Sequence, residues 1–176
     1  MYRVGTGYTN VLVNTLSAEG LDVIELSREA GLNLAVLSQQ HAFYERSVIY
    51  RLWALAAQAS GDANIGLKAY GHVHPGNFQV VGYSMMSSMN LKRALERLVR
   101  FSPLISSGLS LFLGQEGQNF RLAGLDHQCD SVKPRQYSDA GLASLLGFCN
   151  WLTGGRLPKP LRVEFTYPEP EDISEH

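Results

Sequence analysis

Cysteine is nearly absent. Cys129 and Cys149 are the only two in 176 residues, too few for a disulfide framework, so both read as free thiols in a reducing compartment. Charge is sparse too: charged side chains make up 18% of the chain and sum to −1, which excludes the global basic field that draws proteins to nucleic acid or acidic membranes. No apolar run approaches the ~20 residues that span a bilayer, and Met1-Tyr-Arg-Val4 lacks the start of a signal peptide. A cytoplasmic location without membrane contact is expected. There is no Gly-rich phosphate loop, EF-hand or paired-carboxylate motif. Gly82-Tyr-Ser84 has half of a nucleophile elbow, but Met86 stands where that strained turn needs a small residue. Cys149 lies beside Phe148 in an apolar stretch, with no activating base or cation close in sequence. No catalytic residue and no cofactor are expected, and the chain does not read as an enzyme.

What is present is a hydrophobic content of 45%, enough for one globular domain with its own core. Tyr8 to Ala18 predicts a short helix stopped at Gly20. Leu21 to Gln40 reads as helix, Gly31 turn and helix, the outline of a helix-turn-helix DNA reader. Its charge opposes that alternative. Residues 1–45 hold two arginines against five acids, and Leu34 to Gln40, the would-be recognition helix, has no Lys or Arg to meet phosphates.

Ser47 is expected to cap a helix that buries Val48, Leu52, Leu55, Ala56 and Ala59 and stops at Ser60-Gly61. Asp62 caps a short helix through Leu67 to Tyr70, Gly71 to Gly76 is a loop, and Phe78 to Met86 is helical. Asn90 then caps an amphipathic helix that buries Leu91, Ala94, Leu95 and Leu98 and shows Lys92, Arg93, Arg97 and Arg100 on its other face. Two of these cations sit in the first turn, where the helix dipole prefers acids.

Beyond Gly108 the period changes to two. Leu109, Leu111 and Leu113, a turn at Gly114-Gln-Glu-Gly117, and Phe120 with Leu122 predict an antiparallel hairpin. A long helix from Pro134 to Gly154, buried on two sides, leads to a strand at Leu161–Tyr167, so a parallel crossover is expected. The fold class is α+β (mixed α/β), with a helix-rich N-terminal half and a small mixed sheet built from the hairpin and the crossover strand. Residues 1–167 form one domain, cut short at its C-terminus, and 168–176 form an acidic, Pro-rich tail.

Tyr50, Trp53, Phe78 and Tyr83 around the Gly/His loop bearing His74 suit an apolar pocket with polar handles, and these five are the candidate ligand contacts. The same aromatics equally suit a core. His72-Val-His74 and His127-Gln-Cys129 offer four N and S donors, but structural zinc sites favour other spacings and no metal is expected. A small metal-binding or hydrolytic protein using these pairs or Ser84 is the remaining alternative. Arg93, Arg97 and Arg100 are candidates for docking an acidic patch.

Several phrases taken in order resemble the N-terminal effector-binding and dimerisation domain of AraC-type bacterial transcription regulators, in the arabinose-binding-like subgroup. They are Gly61-Asp62 with Gly66-Leu67, Phe78 through Gly82-Tyr83, Ser87-Ser88 with Leu91 and Ala94-Leu95, and Arg156-Leu157 with Pro160. The resemblance runs from about Val48 to Phe165. It departs from the family pattern at Arg93, where an acid is usual. It implies a ligand-sensing domain that takes a small-molecule effector and forms a homodimer. The whole protein would then touch DNA only through a C-terminal domain absent from these residues.

Overall fold

The computed structural model describes residues 2–39, 41–127, 132–157 and 159–170. The chain opens with β1 (Arg3–Gly5) and turns directly into α1 (Thr6–Ala18). α2 (Val23–Ala30) starts where the Asp22 side chain accepts from the Glu25 amide and ends at Gly31, whose φ of +80° is left-handed. The second helix expected over Leu34–Gln40 does not form among the described residues. The Asn33 side chain takes the Ala35 amide at 3.1 Å, and a single 3₁₀ turn, Leu34–Val36, follows. Without a recognition helix, the helix-turn-helix alternative fails.

β2 (Phe43–Glu45) pairs antiparallel with β1, Val4 facing Tyr44. That pairing brings the Arg46 amide to the Tyr2 carbonyl at 3.1 Å, so α3 (Arg46–Ser60) starts on a backbone bond instead of the expected Ser47 cap. A 3₁₀ helix at Ile65–His72 and a 3₁₀ turn at Pro75–Phe78 lead into α4 (Gln79–Met86) and α5 (Leu91–Phe101). α5 has the cap its sequence predicts, the Asn90 side chain accepting from the Arg93 amide at 3.0 Å.

The hairpin is β3 (Leu109–Glu116) with β4 (Asn119–Asp126), Leu113 facing Leu122. Its turn is Gly117-Gln118, later than expected. A two-residue turn with a left-handed first position matches strand twist, and Gly117 has a φ of +63°. α6 (Arg135–Leu152) is buried along Ala140, Ala143, Gly147 and Phe148, while Leu142, Leu145 and Leu146 stay half-buried. Small residues let it press onto the Ile65–His72 helix. A Cβ on Gly147 would stand 2.3 Å from the Tyr70 carbonyl oxygen, and one on Gly66 would stand 2.5 Å from that of Gln136.

The crossover strand expected at Leu161–Tyr167 is not formed, and among the described residues the sheets are two separate antiparallel pairs, β1–β2 and β3–β4. The alternation is there without a strand to pair with. Leu161 is 82% exposed, whereas Phe165 and Tyr167 stack on each other at 4.7 Å and the Tyr167 hydroxyl donates to Asp139 on α6. The fold remains α+β, dominated by helices.

Among the described residues the buried side chains form two hydrophobic clusters. One surrounds Trp53 and Ile49 and takes in α1, α2 and α3; the other surrounds Phe148, Met85 and Leu98. Val73, Phe78 and Ile105 pack against both.

Candidate ligand-binding cleft

A cleft of about 270 Å³ opens between the first turns of α1 and the Pro75–Phe78 turn. α1 contributes Thr6, Gly7, Asn10 and Asn14, residues that recur at helical spacing and so line one side of it. A second wall, Leu37 to Gln39, is tied to α1 by side chains: Asn10 Nδ2 donates to the Leu37 carbonyl at 3.4 Å and Thr6 Oγ1 to the Gln39 carbonyl at 3.3 Å. The third wall is His74, Gly76, Asn77 and Gln79. Asn77 is buried and braces the turn, its Oδ1 accepting from the His74 amide at 2.8 Å. Gln79 follows with φ +48°, a left-handed value at a residue with a side chain, which costs about 1–3 kcal/mol.

Among the described residues the lining therefore presents five amide side chains, Asn10, Asn14, Gln39, Asn77 and Gln79, and contains no Asp, Glu, Lys or Arg. Amides both donate and accept, so the cleft can match a ligand rich in hydroxyls. An apolar recess of about 90 Å³ shares Gly7, Asn77 and Gln79 and is lined further by Tyr8, Phe43, Phe78 and Ile105.

Of the five ligand candidates, the structure brings together His74, on the cleft, and Phe78, on the recess, where its ring stacks on Phe148 at 5.1 Å. Trp53 is fully buried in the first cluster. Tyr50 is buried as well, and its hydroxyl donates to Asp126 Oδ2 at 3.1 Å. Tyr83 points outward from α4, 62% exposed. The missed lining residues, above all Thr6, Gln39, Asn77 and Gln79, carry no period. Asn10 and Asn14, four apart in an uncharged helix, were the one usable signal.

Tyr50 belongs to a separate buried polar cluster. Arg46, 1% exposed, is paired with Asp126, donates to the His127 carbonyl at 3.1 Å and lies under the Tyr2 ring, 4.5 Å from its centroid. Lys133 Nζ stands 3.6 Å from the same carboxylate. Burial, with Asp126 and Tyr137 adding to it, pushes the Tyr50 hydroxyl well above the usual tyrosine range, and burial does the same to Tyr8. These groups pack the hairpin base against α3.

The three arginines named as docking candidates differ in their contacts. Arg93 pairs with Glu96 at 2.7 Å, Arg97 donates to the Ser84 carbonyl at 2.6 Å at the end of α4, and Arg100 lies over Phe101 at 5.4 Å. Ser84 itself is a helical residue of α4. Burial raises the Cys149 thiol to about 11, so it stays protonated at neutral pH. Cys129 lies outside the described residues, and His127 stacks on Tyr2 at 6.0 Å. Among the described residues no three metal-ligating side chains converge, and no helix is long and apolar enough to cross a membrane.

Comparison with curated proteins found no match. Residues 20–176 match the family described as the arabinose-binding domain of AraC transcription regulators, N-terminal, a stretch that takes in most of the cleft lining, all of the Phe148 cluster and most of the Trp53 cluster. The chain therefore belongs to that family of ligand-binding regulatory domains.

Proposed function

We propose that this chain is the effector-sensing and dimerising unit of a bacterial AraC-type regulator, working in the cytoplasm on a DNA-binding domain outside these residues. Residues 1–167 are the sensor and 168–176 a tail. The unit needs no cofactor and catalyses no reaction. It works as a homodimer, and its contact with DNA is made for it by the other domain.

The observation that carries this reading is an amide-lined cleft that holds, among the described residues, no Asp, Glu, Lys or Arg, and whose turn also holds Phe78, a side chain packed against both hydrophobic clusters. An uncharged effector with several hydroxyls suits that lining, because a charged one would lose its hydration without gaining a counter-charge. Arabinose, the sugar in the family's name, is a neutral polyol of this kind. An effector that bridges α1 and the Pro75–Phe78 turn bears on Phe78, which packs against both clusters. Its unequal affinity for two arrangements of the domain then supplies a coupling of about 1–3 kcal/mol.

The test is thermal unfolding with arabinose and a panel of neutral pentoses, hexoses and polyols. A ligand at a hundred times its Kd adds about 2.7 kcal/mol, or roughly 5–10 °C in Tm for a domain of this size. Asn14→Ala, on the cleft wall, should shrink that shift without lowering the unliganded Tm. A panel without any shift counts against the reading.

A further inference from the structure

α5 carries Lys92, Arg93, Arg97 and Arg100 against the single acid Glu96, a local balance of +3 in a chain of net charge −1. Arg93, Arg97 and Arg100 stand at i, i+4 and i+7, on one face of the helix. Arg97 shows where that face lies. Its guanidinium donates to the Ser84 carbonyl at 2.6 Å and to the Ser87 hydroxyl at 2.7 Å, so the stripe runs along the end of α4.

The outer side of α4 is apolar. Val80 is 60% exposed and Tyr83 62%, Met86 is exposed one turn on, and Met89, in the link to α5, is 96% exposed. Val80 also lines the apolar recess, so the ridge is continuous with it. An apolar ridge beside a row of arginines is the kind of surface that meets partners rather than water.

The charges select the occupant. A second copy related by a two-fold axis would set +3 against +3, placing like charges face to face. A nucleic-acid backbone would meet the arginines but leave Val80, Tyr83 and Met86 against hydrated phosphates. A helix with an apolar stripe between rows of acids satisfies both parts of the surface. We propose that the α4–α5 face docks an acidic amphipathic helix of a partner polypeptide. Its apolar side covers Val80, Tyr83 and Met86, and its carboxylates meet Arg93 and Arg100.

The experiment is fluorescence anisotropy on the 176-residue chain, with two labelled helical peptides that share one leucine stripe and are flanked by glutamates or by lysines. The glutamate peptide should bind and weaken as salt rises, and the lysine peptide should not bind. Arg93→Glu with Arg100→Glu, and separately Tyr83→Ser, should each weaken binding about tenfold or more at an unchanged Tm. Absent binding, equal binding of both peptides, or indifference to these variants overturns the proposal. So does tighter binding of duplex DNA through the same arginines, or a dimer seen by sedimentation that Tyr83→Ser dissociates, which would give the ridge to a second copy.

Discussion

The carbonyl oxygen of Asn77 stands 1.8 Å from the point a Cβ on Gly7 would occupy, so α1 and the Pro75–Phe78 turn meet only because residue 7 has no side chain. Gly7→Ala must therefore push the turn off α1. A loss of about 1–3 kcal/mol in urea unfolding is expected, together with loss of any thermal shift from an effector. An alanine variant as stable as the parent would mean that the turn yields freely.

Gln79 offers the reverse experiment. Glycine at this position relieves the left-handed strain of φ +48°, about 1–3 kcal/mol, and forfeits about 0.5–1 kcal/mol through the freer unfolded chain. Gln79→Gly should therefore raise stability by about 1 kcal/mol in denaturant unfolding while weakening effector binding, because one lining amide is lost. A destabilised glycine variant would contradict the assigned backbone conformation.

The Arg46–Asp126 pair is a buried contact between α3 and the hairpin. Arg46→Met leaves a carboxylate without its main partner and should cost about 3–5 kcal/mol; Arg46→Met with Asp126→Leu should cost clearly less than the single change. The double-mutant cycle measures that difference, and an additive result would show that the two side chains are not coupled.

Stability should fall as pH rises above about 10. Burial raises the hydroxyl pKa of Tyr8 and of Tyr50 in the folded state, so both stay protonated after their unfolded counterparts ionise. Their contribution is complete below the unfolded value near 10 and is lost above it, each adding up to about 1.4 kcal/mol per pH unit to the slope. Tyr8→Phe and Tyr50→Phe should each flatten the alkaline limb of a stability–pH curve, and unchanged limbs would contradict the burial.

The phrases that carried the family resemblance are legible because sterics make them strict. Gly66 meets the Gln136 backbone, and a Cβ on Gly82 would stand 2.2 Å from the Pro75 carbonyl oxygen. Those glycines mark where backbones touch, and the α5 cap at Asn90 and the apolar periods of the helices are equally local. Partners are not local. Leu161–Tyr167 has a strand's alternation, yet Tyr167 is held by a side-chain bond to Asp139, which no period in the sequence encodes. Tyr50 and Trp53 have the mixed apolar and polar character of ligand contacts, and the same character serves a core in which Tyr50 reaches Asp126. The cleft was hardest to read, since its amides come from three separate segments that only the folded chain assembles.

The most direct test of the cleft is a titration followed by side-chain amide resonances in two-dimensional NMR, using the neutral sugar or polyol that shifts Tm most. The NH₂ signals of Asn10, Asn14, Gln39, Asn77 and Gln79 should move together and saturate at one Kd, and the Arg46 and Trp53 signals should stay in place. Saturable shifts around Arg46 and Tyr50 with the five cleft amides unmoved would contradict the account.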